Sequence, residues 1–180
     1  MAKRKAVFFD RDGVVNVSPG DGYVLSWDAF EFSPGIFEVT RLCRDRGYAL
    51  VLVTSQQGVG KGLMSQADLD HIHAQMQQTL REQGASFDAI EACTHLVGTC
   101  TCRKPSAEMI HRAAAALDLD LSQSWLIGDH DRDIQMAINA AVPHTIRVLS
   151  HHEPKVPATH TVSDTADLVG LLRSVLPATA

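Results

Sequence analysis

The sequence has no long hydrophobic run and no long run of lysine and arginine. Its first apolar segment, Ala6–Phe9, ends at Asp10, and so short a run can form neither a signal peptide nor a membrane span. The net charge of −5 also gives no electrostatic attraction to nucleic acid or to anionic lipid. We therefore expect no membrane and no nucleic-acid partner, and instead a small solute.

The cysteines are not spread along the chain in the manner of a disulfide framework. Three of the four lie within ten residues, at 93, 100 and 102, and Cys43 stands alone in a predicted helix. This clustering favours a reducing compartment, so we expect a cytoplasmic protein.

Internal repeats and low-complexity segments are lacking as well. A chain of 180 residues that is 45% hydrophobic can bury a substantial core. We therefore expect one domain spanning residues 1–180, and a monomer.

What is present is an alternation of apolar, β-rich runs with segments of helical period. This pattern is typical of a parallel sheet covered by helices on both faces, and it predicts a Rossmann-like three-layer α/β sandwich with a mostly parallel sheet. Strands are predicted at 6–9, 49–53, 125–127 and 145–148. A last strand and helix should follow the proline-containing stretch 150–159.

Caps and apolar stripes predict the helices. Ser33 is predicted as an N-cap with Pro34 at the first helical position, and Ser65 with Asp68 predicts a capping box for the next helix. Further helices are expected at 107–117, 131–141 and 166–176, and core positions for Met76, Met109 and Met136. The histidines at 71, 73, 151 and 152 are expected to face solvent.

Two carboxylates come directly after the first predicted strand. Asp10 and Asp12 are followed by Gly13, which lets the chain turn, and ligands of open α/β sheets bind at this end of the strands. An isolated Asp-x-Asp is more often a turn cap beside a solvated acid. Polar groups at the other strand ends favour a binding site.

Those groups suit a phosphate. Thr54 and Ser55 end the second strand with hydroxyls that can hold a phosphoryl oxygen. Arg103 and Lys104 precede a proline-marked helix start and offer cations, although such a pair is commonly a solvated surface pair.

A further acid group follows the strand at 125–127. Asp129 can complete an oxygen shell for a hard cation such as Mg²⁺. Asp133 is either a supporting acid or an acid of the first helical turn, where the helix dipole favours negative charge.

In chain order these residues form Asp-x-Asp, Thr, Lys and Gly-Asp-x-x-x-Asp. This order resembles the haloacid dehalogenase superfamily of phosphatases over nearly the whole chain. The resemblance implies that Asp10 is the nucleophile and Asp12 the general acid/base, with Thr54 and Lys104 as phosphate ligands. It further implies Mg²⁺ as a cofactor, with the ligands Asp10, Asp12 and Asp129.

A second metal site is indicated by the pattern C-x-H…C-x-C. Three thiols and one imidazole with short spacers suit tetrahedral zinc, and the polar segment between them argues against four buried, hydrophobe-like residues. Four protein ligands leave no open position, so we expect a small structural zinc loop leading into Arg103 and Lys104. The predicted zinc ligands are Cys93, His95, Cys100 and Cys102.

A zinc loop running into Cys-Arg-Lys-Pro resembles two related groups of the superfamily, the D-glycero-D-manno-heptose 1,7-bisphosphate phosphatases and the histidinol-phosphate phosphatases. Residues 10–16, 22–24 and 30–35 resemble the heptose group, whereas the link from His95 to Cys100 and residues 127–135 resemble the histidinol group. Ser55 stands where an asparagine is usual, and Gln57 where the heptose enzymes tend to have serine.

The resemblance thus implies a Mg²⁺-dependent phosphomonoester hydrolase that forms an aspartyl-phosphate, with a heptose bisphosphate as the first candidate substrate. Histidinol phosphate, another sugar or polyol phosphate and a nucleic-acid end phosphate are alternatives. A non-catalytic member that binds a phosphorylated ligand is an alternative of a different class.

The spacing of the motifs leaves no room for a large cap domain. We therefore expect an open cleft between the loop at 16–23 and the zinc loop. Asn16 and Tyr23 are candidates to bind substrate there, with a turn hydrogen bond and a packed edge residue as the alternative roles. Arg103 suits a second phosphate or a ring of hydroxyls at the far end of the substrate.

Overall fold

The computed structural model describes residues 3–178, so residues 1, 2, 179 and 180 of the expected domain lie outside the described residues. Within that range a six-stranded parallel sheet has the order β3-β2-β1-β4-β5-β6. The strands are β1 (Ala6–Phe9), β2 (Ala49–Ser55), β3 (Ala89–Cys93), β4 (Trp125–Gly128), β5 (His144–Val148) and β6 (His160–Val162). The helices are α1 (Ile36–Asp45), α2 (Gln57–Gly60), α3 (Gln66–Glu82), α4 (Glu108–Leu117), α5 (Asp131–Asn139) and α6 (Leu168–Val175).

Two apolar layers bury the central strands from both sides. Successive side chains of a strand point to opposite faces, so Val7 and Phe9 of β1 enter one core cluster and Phe8 enters the other. The first cluster includes residues of α1, α3 and α6, and the second includes residues of α4 and α5. The predicted three-layer α/β sandwich is confirmed.

The helix predictions are mostly confirmed. The capping box of Ser65 and Asp68 is present, and the three methionines predicted in the core are fully buried. The predicted start of α1 is wrong by two residues: the helix begins at Ile36, and its N-cap is Gly35 with φ 79°. A Cβ at residue 35 would lie 3.3 Å from Ala166 Cα, which is a tight contact, and the left-handed backbone there also favours glycine.

The segments between the motifs contain no cap domain within residues 3–178. Between β1 and β2 the chain forms a loop, a short 3₁₀ turn and α1, and between β2 and Lys104 it forms α2, α3, β3 and the cysteine-containing loop. The carboxyl ends of β1, β2 and β4 therefore open onto one shared edge. None of the described helices has the length and apolar character needed to cross a membrane.

Candidate active site

Three carboxylates and one ammonium meet at the carboxyl edge of the sheet. Asp10 follows β1, Asp129 follows β4, and Asp133 lies in the first turn of α5; one oxygen from each lies within 4.8 Å of the others. Lys104 Nζ donates to Asp10 Oδ1 and to Asp133 Oδ1, each at 2.6 Å, and its side chain is 1% exposed. Asp133 is thus both a helix-start acid and a supporting acid, the two roles that its position in the sequence allowed.

Burial and mutual repulsion shape the protonation of this cluster. Burial, with Asp133 nearby, raises the pKa of Asp10 to about 6, and burial with Asp10 nearby raises the pKa of Asp129 to about 8. Burial also acts to raise the pKa of Asp133, but Lys104 outweighs it and the pKa lies below its ordinary value. The cluster therefore holds carboxylates that need more positive charge than Lys104 supplies.

This arrangement fits a hard divalent cation. Mg²⁺ prefers carboxylate oxygen, takes few protein ligands and keeps several waters. The converging oxygens of Asp10, Asp129 and Asp133 offer such ligands, and a divalent cation would offset the burial and the mutual repulsion that raise the pKa values of the first two. The structure thus groups Asp10 and Asp129, two of the residues predicted to bind Mg²⁺, with Asp133.

The side chain of the third predicted Mg²⁺ ligand, Asp12, does not belong to this group of converging oxygens. Asp12 Oδ1 accepts hydrogen bonds from Arg11 Nε, Arg11 Nη2 and Asn16 Nδ2 at 2.9–3.2 Å, and Oδ2 accepts one from Gln56 Nε2 at 3.0 Å. Asp12 nevertheless lines the same cleft as Asp10. It is therefore placed beside the candidate nucleophile, where a general acid/base has to be.

Asn16 does not line the cleft, contrary to one of its two predicted roles. It is 0% exposed and donates from Nδ2 to Asp12 Oδ1 and to the Val17 carbonyl. The alternative role, a turn hydrogen bond, is the one that it fills. Asn16 can affect a substrate through its hydrogen bond to Asp12.

His73 is buried, so its predicted exposure is wrong, whereas His71 is exposed as predicted. His73 Nε2 lies 3.2 Å from Arg11 Nη1, and the Arg11 side chain is itself 0% exposed. Sequence reasoning missed Arg11, His73 and Gln56. A signal for His73 was available, because it lies four residues after Leu69 and three before Met76, on the same buried stripe of α3.

Of the two hydroxyl residues at the end of β2, Ser55 lines the cleft, whereas Thr54 is 1% exposed and is not among the residues that line it. Thr54 Oγ1 accepts from Gln56 Nε2 at 2.8 Å, which leaves its hydroxyl hydrogen available to donate. Ser55 Oγ is buried without a hydrogen-bond partner among residues 3–178, and Ser55 lines the cleft with Asp10. An unpartnered buried hydroxyl is costly unless a ligand completes it.

A second cavity continues outward from the acid cluster. It has a volume of about 270 Å³ and shares Tyr23, Ser55 and Arg132 with the inner part of the cleft. Arg103 also lines this outer cavity, and its Nη1 has no hydrogen-bond partner among the described residues. His130, His152 and Gln57 complete its polar wall. The outer cavity is thus lined by the guanidinium groups of Arg103 and Arg132, of which Arg132 also lines the inner part of the cleft with Asp10.

The four predicted zinc ligands converge. Cys93 Sγ lies 3.0 Å from Cys102 Sγ and 3.6 Å from Cys100 Sγ, and His95 Nδ1 lies 3.4 Å from Cys102 Sγ. Zinc at its usual bond lengths to sulfur and nitrogen holds tetrahedral ligands at about 3–4 Å from one another, so the set fits the metal. The loop that these residues close ends at Cys102, directly before Arg103 and Lys104.

Comparisons with known proteins identify the family of the chain. A family model described as HAD-hydrolase-like matches residues 101–168. The D-glycero-beta-D-manno-heptose-1,7-bisphosphate 7-phosphatase of Helicobacter pylori is 35% identical over 153 residues, which cover 84% of this chain and 87% of that protein. The D-glycero-alpha-D-manno-heptose-1,7-bisphosphate 7-phosphatase of Campylobacter jejuni is 39% identical, covering 81% and 83%.

A solved structure of the same kind of enzyme is also similar to this chain. The D,D-heptose 1,7-bisphosphate phosphatase from B. bronchiseptica, crystallised with magnesium and phosphate, superposes with a TM-score of 0.86 at 31% identity. The match covers 94% of this chain and 98% of that one. The chain therefore belongs to the haloacid dehalogenase-like hydrolases, in the family of these heptose-bisphosphate phosphatases.

Proposed function

We propose that the protein is a Mg²⁺-dependent phosphomonoester hydrolase that removes the 7-phosphate of a D-glycero-D-manno-heptose 1,7-bisphosphate. The observation that carries the proposal is the buried carboxylate of Asp10, held by Lys104 inside an acid cluster at the inner end of a polar cleft. The substrate is the one named for the relatives at 35–39% identity.

Asp10 attacks the phosphorus of the 7-phosphate and forms an aspartyl-phosphate. As the ester bond breaks, Asp12 gives a proton to the leaving alkoxide, and it then takes a proton from the water that hydrolyses the intermediate. A bound magnesium ion would supply positive charge that offsets the charge of the phosphoryl oxygens. Lys104 supplies further positive charge at Asp10, while the hydroxyls of Thr54 and Ser55 hold the phosphoryl group in line.

Asp10, Asp129 and Asp133 would hold the magnesium ion through their side chains, and we retain Asp12 as a candidate Mg²⁺ ligand. For Cys93, His95, Cys100 and Cys102 we propose structural zinc that fixes the segment carrying Lys104. The cytoplasm is the proposed compartment, because none of the four cysteines forms a disulfide. We further propose that the chain acts as a monomer built from one domain, and that its partner is this phosphorylated metabolite.

Two arginines favour a bisphosphate over histidinol phosphate. Arg103 lines only the outer cavity, where the far end of a substrate would lie if its near phosphate reached Asp10, and Arg132 lines both the outer cavity and the inner part of the cleft. A guanidinium pairs well with a second phosphate, whereas it repels the ammonium group of histidinol phosphate. Tyr23 offers a ring against which the sugar can pack.

The test compares phosphate release from three substrates: the heptose bisphosphate, histidinol phosphate and 4-nitrophenyl phosphate. The unsubstituted protein should favour the bisphosphate by a large factor, and Asp10→Asn should abolish turnover of all three while the fold is kept. Arg103→Ala should weaken action on the bisphosphate far more than on the aryl phosphate. Arg112→Ala is the matched control, because that arginine pairs with Glu91 and Glu108 outside the cleft.

Equal losses on both substrates in Arg103→Ala would show that Arg103 serves the transferred phosphate or the fold, and would remove the support for a bisphosphate. A preference for histidinol phosphate would replace the substrate but keep the chemistry. Near-normal release by Asp10→Asn would overturn the mechanism.

A further inference from the structure

A fully buried arginine lies next to the general acid/base. The Arg11 guanidinium donates to Asp12 Oδ1 from Nε at 3.2 Å and from Nη2 at 3.1 Å. Its remaining terminal nitrogen, Nη1, lies 3.2 Å from His73 Nε2 of α3. One guanidinium thus connects the catalytic loop to a helix on the other side of that loop.

His73 acts here as a hydrogen-bond acceptor. A guanidinium has donors only, so the Arg11–His73 contact requires an unprotonated Nε2. Burial, and secondly Arg11, lower the pKa of His73 to about 4, so its imidazole is neutral near pH 7. The neutral ring fixes the guanidinium without adding a second buried positive charge.

The hydrogen bonds divide the two oxygens of Asp12 into different roles. Oδ1 accepts from both Arg11 nitrogens and from Asn16 Nδ2, whereas Oδ2 accepts from Gln56 Nε2. Three donors occupy Oδ1, two of them charged, so this oxygen is a poor place for a proton. Oδ2, with a single neutral donor, is the oxygen that can exchange one.

Burying a whole guanidinium is expensive, and in proteins a well-packed apolar side chain in place of a buried charge is often as stable or more stable. The buried positive charge of Arg11 therefore indicates a role other than packing. We propose that Arg11 and His73 are positioning residues, which hold Asp12 by Oδ1 and thereby make Oδ2 the oxygen that transfers the proton.

The proposal rests on the proposed function and divides each turnover into two proton transfers. First, the Asp10 oxygen–phosphorus bond forms, the phosphorus–ester oxygen bond breaks, and the proton on Asp12 Oδ2 moves to the ester oxygen. Then the water oxygen–phosphorus bond forms, the bond to Asp10 breaks, and a water proton returns to Asp12 Oδ2. An alkyl leaving group needs the first transfer, whereas a nitrophenolate leaves without it.

The test therefore uses pre-steady-state kinetics on 4-nitrophenyl phosphate together with steady-state kinetics on an alkyl phosphate such as the sugar bisphosphate. His73→Leu removes the acceptor for Arg11, and His73→Gln keeps one. Arg11→Lys keeps the charge but cannot hold Asp12 with two nitrogens. His71→Leu is the matched control, since His71 is exposed on the same helix.

In His73→Leu and Arg11→Lys we expect kcat for the alkyl phosphate to fall about tenfold or more. Release of nitrophenolate should keep its first-turnover rate constant, while its steady-state rate falls because the aspartyl-phosphate is hydrolysed slowly. His73→Gln should recover most of the loss, and His71→Leu should match the unsubstituted protein.

Equal falls in the first-turnover and steady-state rates would show that Arg11 and His73 only support the fold, and would overturn the inference. Failure of His73→Gln to recover any of the loss would do the same. If the unsubstituted protein hydrolysed no phosphomonoester, the proposed function would fall and the inference with it. If it hydrolysed alkyl phosphates other than the heptose, only the substrate assignment would change.

Discussion

Replacing Lys104 by methionine tests the electrostatic design of the site. Methionine nearly keeps the length and the apolar stem of lysine but removes the ammonium that donates to Asp10 and Asp133 at 2.6 Å. The side chains of Lys104 and Asp133 are each 1% exposed, so water cannot take over these hydrogen bonds without a rearrangement. The variant leaves the carboxylates of the cluster without their buried cation.

Removing one partner of a buried ion pair costs about 3–5 kcal/mol, because the remaining charge is left uncompensated. A domain of this size is stable by about 5–15 kcal/mol in total, so the loss is a large fraction of its stability. At about 2–4 °C per kcal/mol, the melting temperature of Lys104→Met should fall by about 6–20 °C. Lower pH should reduce the loss, because protonated carboxyl groups no longer repel one another.

Urea unfolding at pH 7, in EDTA-free buffer without Mg²⁺, measures the loss of stability in Lys104→Met. Asp133→Asn and the variant that carries both substitutions complete a double-mutant cycle. The double variant should be clearly more stable than the sum of the two single losses predicts, because it removes a repelling carboxylate together with the cation. A loss below about 1 kcal/mol for Lys104→Met would refute the reasoning. An additive cycle would show that Lys104 and Asp133 do not depend on each other.

Three further predictions follow from the site. Asp12→Asn should keep the fold and slow turnover of alkyl phosphates about 10²–10⁴-fold, as steady-state kinetics and circular dichroism would measure, and a normal rate would remove Asp12 from the mechanism. Metal analysis should find one tightly bound zinc per chain, and Cys100→Ser should raise KM before it unfolds the domain; folded protein that holds no zinc after preparation with excess zinc would contradict the site. Finally, the raised pKa of Asp10, about 6, means that the metal-free folded protein binds this proton more tightly than the unfolded chain. That contribution to stability is present at low pH and is lost as pH rises through about 6, so Mg²⁺ should raise the melting temperature more at pH 8 than at pH 5. Equal gains in melting temperature at pH 5 and pH 8 would contradict this prediction.

The sequence predicted the parts of the fold that depend on local pattern. Continuous apolar runs indicated β1 and β2, and parallel strands with helices between them have few alternative arrangements. Because the strand ends of a parallel sheet share one edge, the polar residues after β1, β2 and β4 could be expected to meet there. The capping box of Ser65 and Asp68 was equally predictable, since both partners lie within one turn.

Pairings between distant segments were not predictable from such patterns. Arg11 and His73 are 62 residues apart, and nothing local to either one indicates the other. Residue type gave no firm indication either, because histidine is intermediate between the buried and the exposed residue types, and the buried stripe that contains His73 was interpreted through its apolar members alone. The grouping of Asp133 with Asp10 and Asp129 likewise depends on how closely the start of α5 approaches the residues that follow β1 and β4.

That close approach depends on two glycines. A Cβ at Gly13 would lie 2.2 Å from Asp129 Oδ2, and a Cβ at Gly128 would lie 2.3 Å from Asp133 Cβ. Gly13 has φ +89°, so its backbone also favours glycine, but no such requirement applies at Gly128. Space is therefore the reason for glycine at 128: any side chain there would push Asp133 away from Lys104. The acid residues supply the chemistry of the cluster, and the neighbouring glycines allow the acids to converge on one point.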